Sequence, residues 1–576
     1  MKTTTLRGVL AALALLLPVL SLAQAPSATA APAVPATIAT EAPVPVDPLA
    51  EVIRERVDHL RYAAAHDGAD HAVRGERIIL ADAVARYYEA QQFQPKWRDP
   101  ARLDLLIAAI ADVYDDGLEP TDYHVEALQS FRSDLREAAT LPLAEQADLE
   151  LLATDAMMLA LYHLYLGKVD PVKLSSQWNF ATRPVSEEQG LQRLAQAIDS
   201  GQIRETFERA RPQHVWYQRG RERLRQYRAI AAAGGWSPIS DGPTLKLGMD
   251  DPRVPALRHR LAVTGDLITD APVAYPLATL YDEETETAVK RFQERHGLTA
   301  DGAVGPATRA ALNVPVSARI DQIRINLERG RWVLHEIHGE FVLVDAAGFD
   351  VSYFRNDEPI WTSKVIVGRP YRETPIFKSL ITYVVLNPTW TIPPTILVKD
   401  KLPVIKRDPG YLVRNNIRVI DSSGRQVNPY SVNWSRYGAG NLPPYQLRQD
   451  PGEDNALGLV KIMFPNPHMV YLHDTPSKSL FDQDQRTFSS GCIRVERAFE
   501  LAELVLNDPE KWTQATMAEV IASKETQTVY LAKPVPVLIL YWTAQPRPDG
   551  QVIFRNDVYG RDPPTLAALD SDFRLP

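Results

Sequence analysis

Cysteine is almost absent from this chain: its 576 residues include one, Cys492. A single cysteine cannot form an internal disulfide, which excludes a disulfide-stabilised fold, and it leaves no cysteine pair for a structural zinc site. The alternatives are a buried inert thiol, an intermolecular bridge or a reactive nucleophile. The residues around Cys492 decide between them.

An excess of positive charge is also lacking, because 63 Lys and Arg stand against 72 Asp and Glu, a formal net charge of −9. This balance gives no general reason to expect nucleic-acid binding. His473, Asp474 and Cys492 could suggest a metal, but no second His or Cys pair has ligand spacing. We therefore predict neither a metal site nor a cofactor.

Long apolar runs are missing apart from residues 9–22, which follow a positively charged start. This run is shorter than the roughly 20 residues of a membrane-spanning helix, and Pro18 interrupts it. We interpret residues 1–23 as a cleaved export signal, with an inner-membrane tether only if cleavage fails. Residues 24–48, rich in Ala and Pro, predict a semi-extended linker. No later segment is expected to span a membrane.

The length predicts several domains, and residues 49–245 have the apolar spacing of helices. Residues 147–166 are apolar enough for a buried helix. Shorter amphipathic helices are predicted at residues 103–114, 191–198 and 203–210. No chemistry is evident here, so we interpret this region as a helical scaffold domain.

Residues 246–315 form a separate small unit with its own turn and cap residues. Asp282 and Thr285 are suited to begin a helix, and Gly265, Gly297 and Gly302 permit left-handed turns. The pattern D-x-x-T-x-x-A-V-x-x-F-Q is followed by G-L and D-G-x-V-G-P-x-T. The unit resembles the three-helix peptidoglycan-binding module, although a helical spacer that binds nothing is an alternative.

Beyond residue 316 the sequence changes to short β-branched and aromatic runs bounded by turn residues. We predict a mainly β catalytic domain at 316–561 and a C-terminal tail at 562–576. Residues 395–457 have few of the apolar runs that predict strands in the rest of the domain. We interpret them as an inserted lid, with a peripheral elaboration as the alternative. The whole is predicted to be a multidomain α+β protein.

Cys492 lies in the segment Ser489-Ser490-Gly491-Cys492-Ile493-Arg494. His473 lies 19 positions upstream, at the end of a strand-like run at residues 469–472. An imidazole within hydrogen-bond reach can take the thiol proton, so we predict Cys492 as nucleophile and His473 as general base and acid.

The neighbouring residues suggest further roles. Gly491 allows a tight turn, and amides around it could face an oxyanion. If this segment is extended, the side chains of Arg494 and Cys492 lie on the same face. Arg494 could then bind a substrate carboxylate or stabilise the site through hydrogen bonds. Tyr471 either shapes the pocket or packs in the core. Trp390 is more suited to packing than to substrate contact.

These motifs resemble the YkuD-type L,D-transpeptidases, supported by Val367-Gly368-Arg369, Thr374-Pro375, residues 387–394 and Asn455-Ala456-Leu457-Gly458. The domain order resembles the large YcbB-like branch. A serine, Ser489 or Ser490, stands where many members carry a second histidine. The resemblance implies that Ser490 and Gly491 build the oxyanion hole or orient His473 through a backbone carbonyl. It also places Ser489, Tyr471 and Trp390 at the substrate.

The resemblance implies 3→3 cross-linking of peptidoglycan tetrapeptide stems, with a Cys492 thioester and release of D-alanine. It places the protein in the periplasm, in cell-wall organisation and cell shape. Penicillin-binding proteins and carboxypeptidases that supply tetrapeptides are the implied partners. Alternatives are an L,D-carboxypeptidase, D-amino-acid exchange by the same thiol, and a non-catalytic wall-binding scaffold.

Overall fold

The computed structural model describes residues 47–65, 72–137, 141–176, 178–180, 187–268 and 279–573. The predicted export signal and all but the last two residues of the predicted linker lie outside these ranges. The described part confirms the multidomain α+β class, with helices in the N-terminal region and a mainly β catalytic domain after them.

The N-terminal region is helical and packs around one apolar helix, Leu143–Leu166. By length and composition that helix could cross a membrane, which differs from the expectation that no later segment would. However, 89% of its most apolar window is buried inside the protein. The region's helices are Pro48–Ala65, Ala81–Ala90, Pro100–Asp112, Val125–Glu137, Leu143–Leu166, Pro171–Leu174, Glu187–Asp199, Ile203–Ala210 and Val215–Ala232, with a short hairpin of Ala72–Val73 and Glu76–Arg77.

Three helices, Val254–Val263, Glu283–Arg295 and Pro306–Leu312, form the small module around their own apolar core. Asp282 caps the second helix by accepting a hydrogen bond from the Thr285 amide at 2.9 Å. The module also touches the catalytic domain, where the Thr299 hydroxyl donates to Asp484 at 2.9 Å. Asp484 lies in the loop between His473 and Cys492.

Helix Val316–Val333 joins the domains, because it packs on Val215–Ala232 and on the small sheet of Ala544–Pro546 and Val552–Phe554. Residues 562–573, expected as part of a tail, instead contain the helix Asp562–Leu569. Leu569 is buried in the scaffold core. The apolar face of this helix is therefore covered by the N-terminal region.

The catalytic domain is built on a nine-stranded sheet that closes on itself. Its strands, in spatial order, are Thr487–Ser489, Glu358–Gly368, Ile493–Val495, Leu472–His473, Val460–Met463, Phe377–Leu386, Gln527–Leu540, Phe341–Asp345 and Asp350–Arg355. Closure occurs because Asp350–Arg355 also pairs with the long strand Glu358–Gly368. Helices Ala498–Leu506 and Gln514–Ala522 pack against this sheet.

The predicted strand at 469–472 is wrong in its extent, because the strand spans only Leu472–His473. Met469 has a positive φ of +54° and is 72% exposed. Backbone in that region cannot continue a strand ladder. The chain therefore turns at Met469 and enters the sheet only just before His473.

Residues 390–457, here called the cap, form a subdomain with its own apolar core. Its four-stranded sheet has the order Trp390–Thr391, Gln446–Gln449, Ile417–Ile420 and Gln426–Val427. Its helices are Pro394–Ile396, a π-helical turn Leu397–Lys401, Leu402–Arg407 and Gly410–Arg414. A separate core lets this insertion keep its shape beside the catalytic sheet.

Candidate active site

Three neighbouring strands bring the predicted nucleophile and base onto one face of the sheet. Leu472–His473 runs parallel to Ile493–Val495, which sets His473 opposite Arg494. On its other side His473 lies opposite Lys461. Because side chains alternate along a strand, Tyr471 and Cys492, two positions earlier, share this face. All five residues line one cavity.

The thiol of Cys492 is partly exposed to this cavity. Its sulfur lies 3.7 Å from the carbonyl oxygen of Met469, at the chain's turn into the sheet. Burial raises the pKa of the thiol, whereas a hydrogen bond from Tyr471 and the charges of Lys461 and Arg494 lower it. The thiol therefore needs a base before it can attack.

His473 is buried and held in one orientation by its own chain. Its Nδ1 lies 2.5 Å from the carbonyl oxygen of Asp474. Since a carbonyl only accepts, Nδ1 carries the proton and Nε2 is left as the basic nitrogen. Burial lowers the pKa of His473 to about 3, with further lowering from Arg494 and Lys461. His473 is thus a neutral imidazole at physiological pH.

This orienting contact differs from the expected one, because the carbonyl belongs to Asp474 and not to Ser490 or Gly491. The side chain of Asp474 is also structural. It accepts the Leu459 amide at 3.0 Å and pairs with Lys478 at 2.6 Å. The Asp474 carboxylate is therefore committed to structural contacts.

The turn before the nucleophile is tied together by Ser489 and Thr374. The Ser489 hydroxyl donates to the Cys492 carbonyl at 2.5 Å and accepts the Gly491 amide at 3.1 Å. The Thr374 hydroxyl donates to the Gly491 carbonyl and accepts the Gly368 amide, both at 2.9 Å. Gly491 has a φ of +115°, which a side chain would strain.

These bonds limit what the turn can offer to a ligand. Ser489 is buried and its hydroxyl is bonded within the turn, although the residue also lines the cavity. The Gly491 amide is also bonded, so it is not a free oxyanion donor. The Cys492 amide has no hydrogen-bond partner within the described ranges, so it is available to donate to an oxyanion.

Ser490 connects the turn to the cap through one arginine. The Arg372 guanidinium donates to the Ser490 hydroxyl at 2.8 Å and forks onto the Asp400 carboxylate at 2.6 and 3.1 Å. Asp400 lies in the π-helical turn of the cap. Arg372 therefore connects the cap to Ser490, the residue two positions before Cys492.

The cavity between the sheet and the cap has a volume of about 910 Å³. Trp390 lines the cavity and is mostly buried in the cap core. Tyr471 lines the cavity beside His473, with ring centres 5.6 Å apart. The wall carries one carboxylate against five cations, which are Arg369, Arg372, Lys401, Lys461 and Arg494.

Three parts of the chain match known family models. Residues 339–537 match the model described as the L,D-transpeptidase catalytic domain, YkuD. The chain carries a YkuD L,D-transpeptidase catalytic domain. Residues 82–224 match a scaffold domain, and residues 250–312 match a "Putative peptidoglycan binding domain". The predicted family resemblance is confirmed.

A Haemophilus influenzae protein named "Putative L,D-transpeptidase" is 36% identical to this chain over 241 residues. The aligned region covers 42% of this chain and 48% of that protein. The chain thus matches about half the length of this curated relative.

Sequence reasoning assigned no site role to four residues of the candidate site: Lys461, Thr374, Arg372 and Asp400. Thr374 stood within a motif of the family resemblance, but nothing showed that its hydroxyl would reach Gly491. The other three come from distant segments that only strand pairing and the cap's packing bring to the thiol. Their spacing in the sequence contains no signal of this proximity.

Proposed function

We propose that this protein is a cysteine L,D-transpeptidase that forms 3→3 cross-links between peptidoglycan stem peptides. The observation that carries the proposal is Cys492 and His473 on one face of the catalytic sheet, in a cavity of about 910 Å³ with a strongly cationic wall. A cavity of this size suits a peptide ligand. The family match of the catalytic domain supports the same chemistry.

In the first step the Cys492 sulfur attacks the carbonyl carbon of the third stem residue, a diaminopimelate. The thiol proton passes to Nε2 of the neutral His473. As the C–N bond to D-alanine breaks, His473 returns that proton to the leaving amine. A thioester remains on Cys492, and the Cys492 amide faces the oxyanion formed on the way.

In the second step the side-chain amine of an acceptor stem attacks the thioester carbon. The amine loses a proton to His473, the C–S bond breaks, and His473 returns the proton to the sulfur. Water could attack in the same way and give hydrolysis. The cap covers the cavity, and we assign it the role of limiting water during this step.

The charge of the cavity fits the proposed donor. A tetrapeptide stem carries free carboxylates, including that of its terminal D-alanine, and five cationic side chains line the wall against Asp400 alone. Asp400 is paired with Arg372. In a chain of net charge −9, this local excess of positive charge favours an anionic ligand.

The three-helix module is proposed to hold the enzyme near the wall, and the periplasm is the proposed compartment. The match of residues 250–312 to a peptidoglycan-binding family supports both assignments. Enzymes that trim stems to tetrapeptides would supply the donor.

The deciding experiment treats tetrapeptide-rich peptidoglycan with the purified enzyme, then digests the glycan and identifies cross-links by mass. We expect 3→3 dimers with the wild type and none with Cys492→Ala, which lacks the sulfur. Lys399→Met, an exposed cap variant, serves as the matched control and should resemble the wild type.

Parallel reactions with and without an acceptor stem separate transfer from hydrolysis or exchange. Tripeptide alone, with no dimer in the presence of acceptor, would instead assign carboxypeptidase activity. Dimers formed by Cys492→Ala would refute the thioester mechanism.

A further inference from the structure

Lys461 is a cation of the cavity wall to which the chemical steps proposed above assign no role. Its strand, Val460–Met463, places it directly opposite His473. Its ammonium lies over the ring of Tyr471, 4.0 Å from the ring centre. A cation held at this distance on an aromatic face is stabilised by the ring's quadrupole.

Lys461 has no carboxylate partner within the described ranges, unlike two other cations near the site. Lys478 pairs with Asp474, and Arg372 with Asp400. Lys461 lines the cavity, is only partly exposed, and burial lowers its pKa while the facing sulfur of Cys492 raises it. A partly buried ammonium without a counter-ion has a net cost unless a negative charge develops near it.

We propose that Lys461 is a positioning residue that, seated on Tyr471, stabilises the thiolate of Cys492 when His473 removes the proton. This inference rests on the proposed function, because it assigns a further role within the same site. Tyr471 is in contact with the ammonium of Lys461 and shares the sheet face of Cys492, and it is among the groups that lower the pKa of the thiol.

The reason such a cation is needed lies in His473. In a thiolate–imidazolium pair the histidine supplies the positive charge. Here the imidazole is buried, its Nδ1 is committed to the Asp474 carbonyl, and two cations flank it. These surroundings disfavour an imidazolium, so a lasting thiolate would depend on fixed positive charge from elsewhere.

The charged and titratable groups that face the thiol come from three strands. Val460–Met463 contributes Lys461, the segment ending at His473 contributes Tyr471 and His473 itself, and the nucleophile's strand contributes Arg494. Arg494 extends from the same strand as the thiol, and its Nε is buried without a hydrogen-bond partner in the described residues. Lys461 is thus one of two fixed cations beside the sulfur.

The test uses the full-length protein and its single cysteine, which makes alkylation by iodoacetamide site-specific. Alkylation rate is measured by intact mass against pH for the wild type, Lys461→Met, Lys461→Gln and Lys461→Arg. Lys399→Met removes an exposed lysine from the cap and is the matched control. Circular dichroism and thermal unfolding report whether each variant folds.

Removing the charge should raise the alkylation midpoint by about one pH unit, and so slow alkylation about tenfold at a fixed pH below both midpoints. Both neutral variants should show this shift, and Lys461→Arg should restore the wild-type midpoint. Lys399→Met should leave it unchanged. Two neutral variants are included so that a folding defect in one does not end the test.

An unmoved midpoint in a folded neutral variant would overturn the inference, as would an arginine variant as defective as the neutral ones. A rise in donor KM with no change in alkylation would also overturn it and make Lys461 a substrate-binding residue. Because alkylation needs no wall substrate, the shift can be observed even if transpeptidation fails. The two proposals can therefore fail separately.

Discussion

Replacing Thr374 with valine tests how the nucleophile's turn is held. The Thr374 hydroxyl is buried and joins two segments, accepting the Gly368 amide and donating to the Gly491 carbonyl, each at 2.9 Å. Valine has nearly the same shape but can make neither bond. The substitution therefore leaves two buried backbone groups without partners while it keeps the packing.

An unsatisfied buried polar group costs about 1–3 kcal/mol. If the free energy of locally opening the turn falls by that amount, the Gly368 amide hydrogen should exchange with solvent roughly 5- to 150-fold faster. Since Cys492 follows Gly491 directly, the sulfur also loses its fixed position. Misplacement of a reacting group can lower the rate by about a hundredfold, so we expect acylation to slow by about 10- to 100-fold.

Hydrogen–deuterium exchange with mass detection measures the first effect in the peptide that contains Gly368. The rate of acyl-enzyme formation with a carbapenem or a tetrapeptide donor measures the second. Thr374→Ser is the control, because it keeps the hydroxyl and loses one methyl group. It should exchange and react much closer to the wild type than the valine variant does.

A valine variant with normal exchange at Gly368 and normal acylation would refute this reasoning. Equal damage in the serine and valine variants would assign the effect to the lost methyl group and not to the hydrogen bonds.

Two further predictions concern pH and the cap. Because the pKa of His473 is lowered to about 3 and that of Cys492 is raised, the neutral thiol and neutral imidazole of the proposed first step persist through physiological pH, so kcat/KM for acylation should show no inflection near pH 6.5. Asp400→Asn should weaken the contact between the cap and Arg372. We expect faster hydrogen–deuterium exchange in residues 394–401 and a few-fold higher ratio of hydrolysis to transfer products.

Each of these has a direct check. A clear acid limb at the ordinary histidine pKa would contradict the buried neutral imidazole. For the cap, Asp408→Asn breaks an exposed ion pair with Arg414 inside the same subdomain and is the matched control. If both cap variants change the product ratio equally, the contact with Arg372 has no special role.

Much of the fold follows from local sequence. The predicted helix at 203–210 coincides with Ile203–Ala210, and the predicted helix at 191–198 lies within Glu187–Asp199. Both have clear apolar periodicity. The strand at 469–472 was misjudged because its apolar residues continue through a turn at Met469, which periodicity does not show. The helix Asp562–Leu569 was missed because its partner surface lies in the distant scaffold.

The sequence by itself determined the chemical groups: one thiol, the histidine upstream and a glycine that permits the turn between them. It also determined the family, since the motifs occur in order along the chain. These are properties of residue type and spacing, which a linear pattern records.

Only the tertiary structure decided how those groups are charged and held. The row of Lys461, His473 and Arg494 exists because three strands from separate segments pair in one register. The Asp474 carbonyl sets the tautomer of His473, and Thr374 fastens the turn of Cys492. Strand register and burial depend on the whole sheet, so no local stretch of sequence contains them.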